Sequence, residues 1–131
     1  MLSEIYLIKD ATEKGHDRIP KYEYHSTIGG RKFFIFEYLE HSLEHFISSY
    51  NSNFEVALIE ASKQMLQAIQ QVHSLNHLHN DVKPDNFMCK NSKIYIIDFG
   101  VITGFGDERN TAESYSPFQG SLYYAPIRAH K

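Results

Sequence analysis

A chain of 131 residues with 42% apolar residues and a net charge of -3 has the size and composition of one globular domain with a substantial core. The slightly acidic balance argues against a basic nucleic-acid surface, and no apolar run approaches the length needed to span a bilayer. The N-terminus lacks the pattern of a signal peptide, and a single cysteine, Cys89, excludes an internal disulfide framework. We therefore expect an intracellular protein, cytoplasmic or nuclear, without a nucleic-acid or membrane partner.

The first predicted element is a helix. From Leu2 to Asp10 apolar side chains recur at helical spacing, and Leu2, Ile5 and Tyr6 would share the buried side. No N-cap residue precedes this pattern, which indicates that the sequence enters the helix rather than starting it. A loop is expected up to Pro20, because a proline disfavours helical backbone at the residue before it.

A β-hairpin is predicted next. The strand-like runs Tyr22 to Ile28 and Arg31 to Glu37 flank Gly29-Gly30, a pair that readily takes the positive φ values of a tight turn. The second strand is apolar on both faces. We therefore expect both of its faces to be covered.

Two helices are predicted after the hairpin. Ser42 is a reasonable N-cap for a short helix that ends near Tyr50. Ser52 and Glu55 have capping-box spacing, which predicts the start of a second helix of about twenty residues. Its buried stripe is expected to contain Leu58, Ala61, Met65, Ile69 and Val72.

The densest polar chemistry lies in His79 to Gly100, with the sequence HNDVKPDNFMCKNSKIYIIDFG. The proline in its first part predicts a loop over Asp81 to Asn86. Phe87 to Cys89 and Lys93 to Ile97 flank a short turn and predict a second hairpin. Asp98 would then stand at the end of a strand, close to the loop. Beyond it, residues 103–119 are polar and predict a long surface loop.

Two motifs in this stretch resemble those of protein kinases. His79 to Asn86 is similar to the catalytic loop, H-R-D-[LI]-K-P-x-N, and Asp98-Phe99-Gly100 matches the magnesium motif. Each motif alone is a weak signal, since Asp, Asn and Pro are also common turn residues. Together, with a strand, a turn and a strand between them, they form a strong one. The resemblance implies an α+β fold, a partial protein kinase-like fold.

Three further segments resemble the casein kinase 1 family. They are Ser42 to Glu44, Tyr95 to Gly100, and Gly120 to Ala125 followed by Ala129-His130. The last segment has the short spacing of that family and lacks the glutamate found there in most kinases. The resemblance covers nearly the whole chain and implies ATP-dependent phosphoryl transfer to serine or threonine of protein substrates.

The resemblance also implies roles for the polar residues. Asp81 would orient the substrate hydroxyl and accept its proton, and Lys83 would neutralise charge on the ATP phosphoryl group being transferred. Asn86 and Asp98 would hold Mg²⁺ against the ATP phosphates, since oxygen ligands suit this cation. Ser121 is expected to bond to both Asp81 and Lys83.

The same resemblance outlines an adenine site. Phe36 matches the gatekeeper position, and backbone groups of Glu37 and Leu39 would hydrogen-bond adenine. Met88 and Ile97 would form the floor under the ring, although plain core positions are an equal alternative for these apolar residues. The implied cofactors are ATP and Mg²⁺.

Two substitutions depart from the family pattern. Asn80 stands where kinases have an arginine, so the pocket that would read a phosphorylated activation loop lacks its main cation. Tyr123 is an aromatic residue near a position where the casein kinase 1 family uses an arginine to hold a phosphate on primed substrates. Neither form of phosphate recognition is therefore expected here.

The resemblance leaves parts of a kinase domain without a counterpart. No glycine-rich phosphate loop and no strand lysine precede the first helix, and the helices after the substrate loop are missing. Glu4 is an acid that could pair with such a lysine, although the family alignment places that acid nearer Leu2. We expect one partial kinase domain over residues 1–131, with an N-lobe remnant at 1–37, a hinge at 38–41 and the start of the C-lobe at 42–131.

Two functions remain open on the sequence. The first is a serine/threonine protein kinase, of which these 131 residues alone would be inactive and marginally stable. The second is a pseudokinase or truncated kinase fold that acts as a protein-binding module without catalysis. A zinc site at His73, His77 and His79, or at His41 and His45, is disfavoured because neither set has cysteine or carboxylate partners.

Overall fold

The computed structural model describes residues 2–50, 53–105 and 120–127. Helices and small antiparallel sheets alternate along them, which confirms the predicted α+β class. The elements are α1 (Leu2–Glu13), β1 (Tyr22–Ile28), β2 (Arg31–Phe36), β3 (His41–Ser42), α2 (Leu43–Ser48), α3 (Phe54–Ser74), β4 (His77–Leu78), β5 (Phe87–Lys90), β6 (Lys93–Ile96) and β7 (Thr103–Gly104). Single 3-10 turns occur at Pro84–Asn86 and Leu122–Tyr124.

Helix α1 buries a different face from the one predicted. Its core residues are Leu7, Ile8 and Ala11, each at most 2% exposed, whereas Tyr6 is 69% exposed. The helix also continues to Glu13 rather than ending at Asp10. The predicted stripe is wrong because α1 carries apolar side chains on more than one face, and the core packs against only one of them.

The first hairpin has the predicted turn. Strands β1 and β2 are antiparallel, with Ile28 opposite Arg31, and Gly29 and Gly30 have φ values of 55° and 78°. The expectation that β2 is covered on both faces is wrong for the described residues, since Ile35 is 49% exposed. The described part of the chain therefore presents an apolar outer face on this hairpin.

Helix α2 starts as predicted, and α3 starts with a different cap. The Ser42 hydroxyl accepts a hydrogen bond from the His45 backbone N–H. At α3 the N-cap is Asn53, whose side-chain oxygen accepts from the Val56 N–H at 3.4 Å. Ser52, the predicted cap, lies outside the described residues.

The buried stripe of α3 is rotated from the predicted one. Ala61 and Val72 are buried and Met65 and Ile69 pack partly against the core, but Leu58 is 40% exposed. The stripe facing the core is composed of small residues and one glutamine, namely Ala57, Ala61, Gln64, Ala68 and Val72. Small side chains on this face allow α3 to lie close against the sheet.

The second hairpin carries the centre of the sheet. Strand β5 lies between β3 and β6, and Phe87, Ile94 and Ile96 are each at most 1% exposed. Asn91 and Ser92, both with positive φ, form the connecting two-residue turn. Lys90, predicted as a turn residue, is the last residue of β5.

Arg18 joins the first part of the chain to this sheet. Its carbonyl oxygen accepts a hydrogen bond from the Ile96 N–H at 2.9 Å. Its guanidinium donates to the Ile94 carbonyl at 3.3 Å and to the side-chain oxygen of Gln64. The buried Gln64 oxygen also accepts from the Ile94 N–H at 2.9 Å. We call this set of bonds the Arg18 bridge.

Strands β4 and β7 bring the ends of the central stretch together. Leu78 lies opposite Thr103, and His77 lies opposite Gly104. The loop predicted for residues 103–119 therefore begins with a strand, and its part from 106 onward lies outside the described residues. This pairing sets the loop after β4 beside the chain that follows Asp98.

Candidate active site

A buried histidine shapes the loop between β4 and β5. His79 is 2% exposed, and its Nε2 donates to the Ile97 carbonyl oxygen at 2.9 Å. Its Nδ1 accepts from the Asp81 N–H at 3.3 Å, which identifies the neutral tautomer protonated at Nε2. Burial is the main cause that lowers the pKa of His79, although nearby Asp98 and Asp81 act in the opposite direction.

The Asp81 carboxylate is held by three donors. The Ser121 N–H donates to Oδ1 at 2.6 Å, while Oδ2 accepts from Asn86 Nδ2 at 3.1 Å and pairs with Lys83 Nζ at 2.9 Å. Burial acts to raise the pKa of Asp81, but these bonds outweigh it and lower the pKa to about 2. The group is therefore ionised across the whole physiological range.

Lys83 connects the loop to the segment around Ser121. Its Nζ donates to the Ser121 hydroxyl oxygen at 2.8 Å and forms the ion pair with Asp81. The bond to Asp81 is the largest cause of a raised pKa at Lys83. The structure thus brings together the three residues that the sequence assigned to catalysis.

Asn86 and Asp98 lie at the end of the second hairpin. The carbonyl oxygen of Asn86 accepts from the Ile97 N–H at 2.9 Å, one residue before Asp98. The Asn86 amide nitrogen also donates to the Asp81 carbonyl at 2.7 Å, so its side-chain oxygen is the end that remains for a cation. The side-chain oxygens of an amide and a carboxylate, completed by phosphate and water, are of the type that suits Mg²⁺. The residues therefore fit the cation.

Asp98 has a left-handed backbone, with φ of 63°. Its Oδ1 accepts from the Gly100 N–H at 3.3 Å, and a Cβ at Gly100 would approach this oxygen to 3.3 Å. Burial is the main cause that raises the pKa of Glu4 in α1, and the nearby charge of Asp98 acts in the same direction. The Glu4 side chain therefore lies close enough to Asp98 for the two carboxylates to interact electrostatically.

The predicted adenine-site residues lie in or directly after strands of the two hairpins. The Glu37 N–H is bonded to the Lys21 carbonyl at 2.8 Å, which leaves the Glu37 carbonyl as the group for a ligand. Leu39 is 7% exposed. Met88 in β5 and Ile97 after β6 are half-buried, consistent with a surface that a flat ring covers. Phe36 is partly buried against the core.

Two polar residues of this region were not recognised from the sequence. Lys90 forms an ion pair with Glu37 at 3.0 Å, and Asn80 donates to the chain after the magnesium motif. The motif showed that Asn80 replaces an arginine. It did not show which groups accept hydrogen bonds from the Asn80 side chain. Lys90 gave no signal, because its partner is distant in sequence.

A cavity of about 210 Å³ adjoins the catalytic loop. Asp81, Val82, Tyr124 and Pro126 are among its lining residues, so it opens beside the predicted catalytic carboxylate. A larger cavity of about 450 Å³ is lined by Asp17, Arg18 and glutamines of α3, none of which belongs to the predicted site. Of these two cavities, the smaller one is lined by residues of the predicted site.

The histidines considered for zinc have other contacts. His77 Nδ1 bonds to the Leu75 carbonyl at 2.7 Å, and His73 packs against Phe105. The rings of His41 and His45 stack with centroids 3.9 Å apart. Within residues 2–50, 53–105 and 120–127, no group of three or more His, Cys, Asp or Glu is arranged to hold a metal ion.

Comparison with known proteins assigns the family. A sequence model described as the protein kinase domain matches residues 1–128. The chain therefore belongs to the protein kinase family. A probable casein kinase I homolog of Encephalitozoon cuniculi is 29% identical over 123 residues, which cover 90% of this chain and 39% of that protein. The chain thus spans about two fifths of the length of this relative.

These comparisons confirm the predicted resemblance to casein kinase 1-like kinases and the protein kinase-like fold. The chain thus resembles serine/threonine protein kinases of the casein kinase 1 type over the residues matched. Protein kinases as a family use ATP and Mg²⁺. Over the described ranges no helix combines the length and apolar content that crossing a membrane requires.

Proposed function

We propose that this protein transfers the γ-phosphoryl group of ATP to serine or threonine hydroxyls of protein substrates. The observation that carries the proposal is the Asp81 carboxylate, fixed by Ser121, Asn86 and Lys83 at the mouth of a cavity. The name of the casein kinase I homolog supports the substrate class, as does Lys83 two residues after Asp81.

Asp81 would act mainly by orienting the substrate hydroxyl. A carboxylate with a pKa of about 2 is a weak base at neutral pH, so it accepts a hydrogen bond readily but draws a proton poorly. In phosphoryl transfer the hydroxyl becomes acidic only late, as the new bond to phosphorus forms. Asp81 would then receive the proton at that stage.

Lys83 and Ser121 would complete the polar side of the site. The Lys83 ammonium already lies between Asp81 and Ser121, close to where the transferred group would pass. A fixed positive charge there stabilises the charge that develops on the phosphoryl oxygens. Ser121, through its N–H and hydroxyl, would keep Asp81 and Lys83 in this arrangement.

Asn86 and Asp98 would hold Mg²⁺. When bound, the cation would neutralise phosphate charge and align the phosphates with the hydroxyl. The adenine ring would lie on Met88 and Ile97 and bond to backbone groups of Glu37 and Leu39. Since this reaction consumes ATP, we also propose an intracellular location.

The test measures phosphate transfer from Mg-ATP to a serine- and threonine-containing peptide mixture by the complete protein that the gene encodes. We expect Asp81→Asn to reduce the rate on the order of 10²- to 10⁴-fold, the usual contribution of a positioned acid–base group. Asp85→Asn, which alters an exposed acid in the same loop, is the matched control and should keep the rate.

The product is then analysed for its phosphoamino acids. Phosphoserine or phosphothreonine is expected, and phosphotyrosine alone would contradict the proposed substrate class. A rate that is equal in the unchanged protein and in Asp81→Asn would contradict catalysis and would favour the protein-binding module instead.

A further inference from the structure

Asn80 links the catalytic loop to the chain that follows the magnesium motif. Its side-chain nitrogen donates to the Val101 carbonyl oxygen and to Thr103 Oγ1, both at 2.9 Å. One amide group thus supplies both of its hydrogens to acceptors more than twenty residues away in sequence.

The backbone at Asn80 sets the direction of this amide. Its φ of 65° lies in the left-handed region, which asparagine tolerates better than most residues do. Asn80 lies two residues after Leu78, the last paired residue of β4, which lies opposite Thr103 in β7. The amide therefore extends that pairing beyond the last paired residue of β4.

The magnesium motif is held by the catalytic loop on both sides. Before the motif, His79 Nε2 donates to the Ile97 carbonyl at 2.9 Å. After the motif, Asn80 donates to Val101 and Thr103. Two consecutive residues of one loop therefore fix the chain immediately before and shortly after Asp98. The next residue of that loop is Asp81.

We propose that Asn80 is a positioning residue that keeps Asp81 and Asp98 in a fixed relation by tying their two segments together. The proposal rests on the proposed function, because the relation matters for phosphoryl transfer. Asn80 does so as a neutral donor, and its two acceptors are both oxygens. An aspartate there has the same size but no hydrogen to donate to the Val101 carbonyl.

Hydrogen exchange of backbone amides tests the link without requiring activity. Three amides report on the segment through their own bonds, namely Gly100 to Asp98 Oδ1, Ile102 to the Phe99 carbonyl and Phe105 to the Asn76 carbonyl. In both Asn80→Asp and Asn80→Gly we expect these amides to exchange roughly tenfold faster, because local opening becomes easier.

The two variants and one control separate the possible causes. Asn80→Gly keeps the left-handed backbone accessible and removes the amide, whereas Asn80→Asp keeps the side-chain size and removes the donors. Asn91→Asp makes the same chemical change at an exposed asparagine of the β5–β6 turn with φ of 50° and should leave exchange of these amides unchanged. Faster exchange in only one Asn80 variant would trace the effect to glycine flexibility or to the new charge, and would overturn the proposal, as would no change in either.

Kinetics on the complete protein provide the second readout. We expect both Asn80 variants to lower kcat by roughly tenfold, the scale at which supporting residues act, while the KM for ATP stays within a factor of about two. If the unchanged protein transfers no phosphate, the proposed function fails, and the exchange data still decide whether Asn80 holds the segment. Faster exchange with an unchanged kcat would overturn the positioning role alone.

Discussion

Lys90 Nζ lies 3.0 Å from Glu37 Oε1, which ties the end of β5 to the segment that follows β2. The two side chains are 29% and 16% exposed, so the pair is only partly screened by water. A second oxygen of Glu37 accepts from the Lys21 N–H at 3.4 Å. The side chain of Glu37 therefore fixes the backbone whose carbonyl would bond to adenine.

Removal of this ion pair should weaken ATP binding. For Lys90→Met we expect the Kd for ATP to rise by roughly two- to fivefold, the range that a partly exposed ion pair supports. Lys93→Met is the matched control, since Lys93 lies in the same hairpin but pairs with Asp17. Calorimetric titration with Mg-ATP measures both, and an equal Kd in the three proteins would refute the idea.

The Arg18 bridge predicts a large loss of stability for one substitution on α3. Gln64→Leu leaves the Ile94 N–H buried without its acceptor and removes a partner of Arg18. We expect the free energy of unfolding to fall by about 2–4 kcal/mol, because buried polar groups without partners are costly. Urea denaturation measures the loss, and the exposed Gln70→Leu on the same helix should stay within about 0.5 kcal/mol.

The His79 environment predicts a dependence of stability on pH. Its folded-state pKa lies below the ordinary value of about 6.5, so the unfolded chain binds more protons just below that pH. The contribution of neutral His79 to the free energy of unfolding is therefore complete above pH 6.5. It is lost as the pH falls toward the folded-state pKa. Urea denaturation between pH 7.5 and 5 should show this loss, and His79→Phe should show a smaller one. An identical pH profile in both proteins would argue against it.

Asp98 offers a direct test of the proposed magnesium site. Asp98→Asn keeps a residue type that tolerates φ of 63°, so we expect the fold to persist. We expect the Mg²⁺ concentration needed for half-maximal nucleotide binding to rise at least roughly tenfold, because a carboxylate ligand is lost. Mg²⁺ titration of a fluorescent ATP analogue measures this, with Asp85→Asn as control. Equal Mg²⁺ dependence in Asp98→Asn would count against the assignment.

Local signals in the sequence predicted several elements correctly. Gly29-Gly30 specified a turn with positive φ, and Ser42 specified a helix start, because each depends on the chemistry of one or two residues. The two kinase motifs led to the family for a similar reason, since their residue types recur at fixed spacing. The roles of Asp81 and Asp98 remain predictions.

Features that depend on distant contacts were not predictable. Helix α1 offered more than one apolar face, and only packing against the rest of the core decides which one is buried. The contact between Arg18 and Gln64 spans 46 residues and leaves no local pattern. The partners of Asn80 were hidden for the same reason, since they become neighbours only when β4 pairs with β7.

The left-handed backbone at Asn80 and Asp98 limits the substitutions that the fold tolerates at these two positions. At such positions most side chains strain the main chain, so glycine and the Asn/Asp pair are the replacements that the fold accepts with least cost. If Asp98 ligates Mg²⁺ as proposed, the same residue serves the metal and the backbone, so few other residues can replace it. In related sequences that no longer bind Mg²⁺, we therefore expect asparagine or glycine at the position of Asp98.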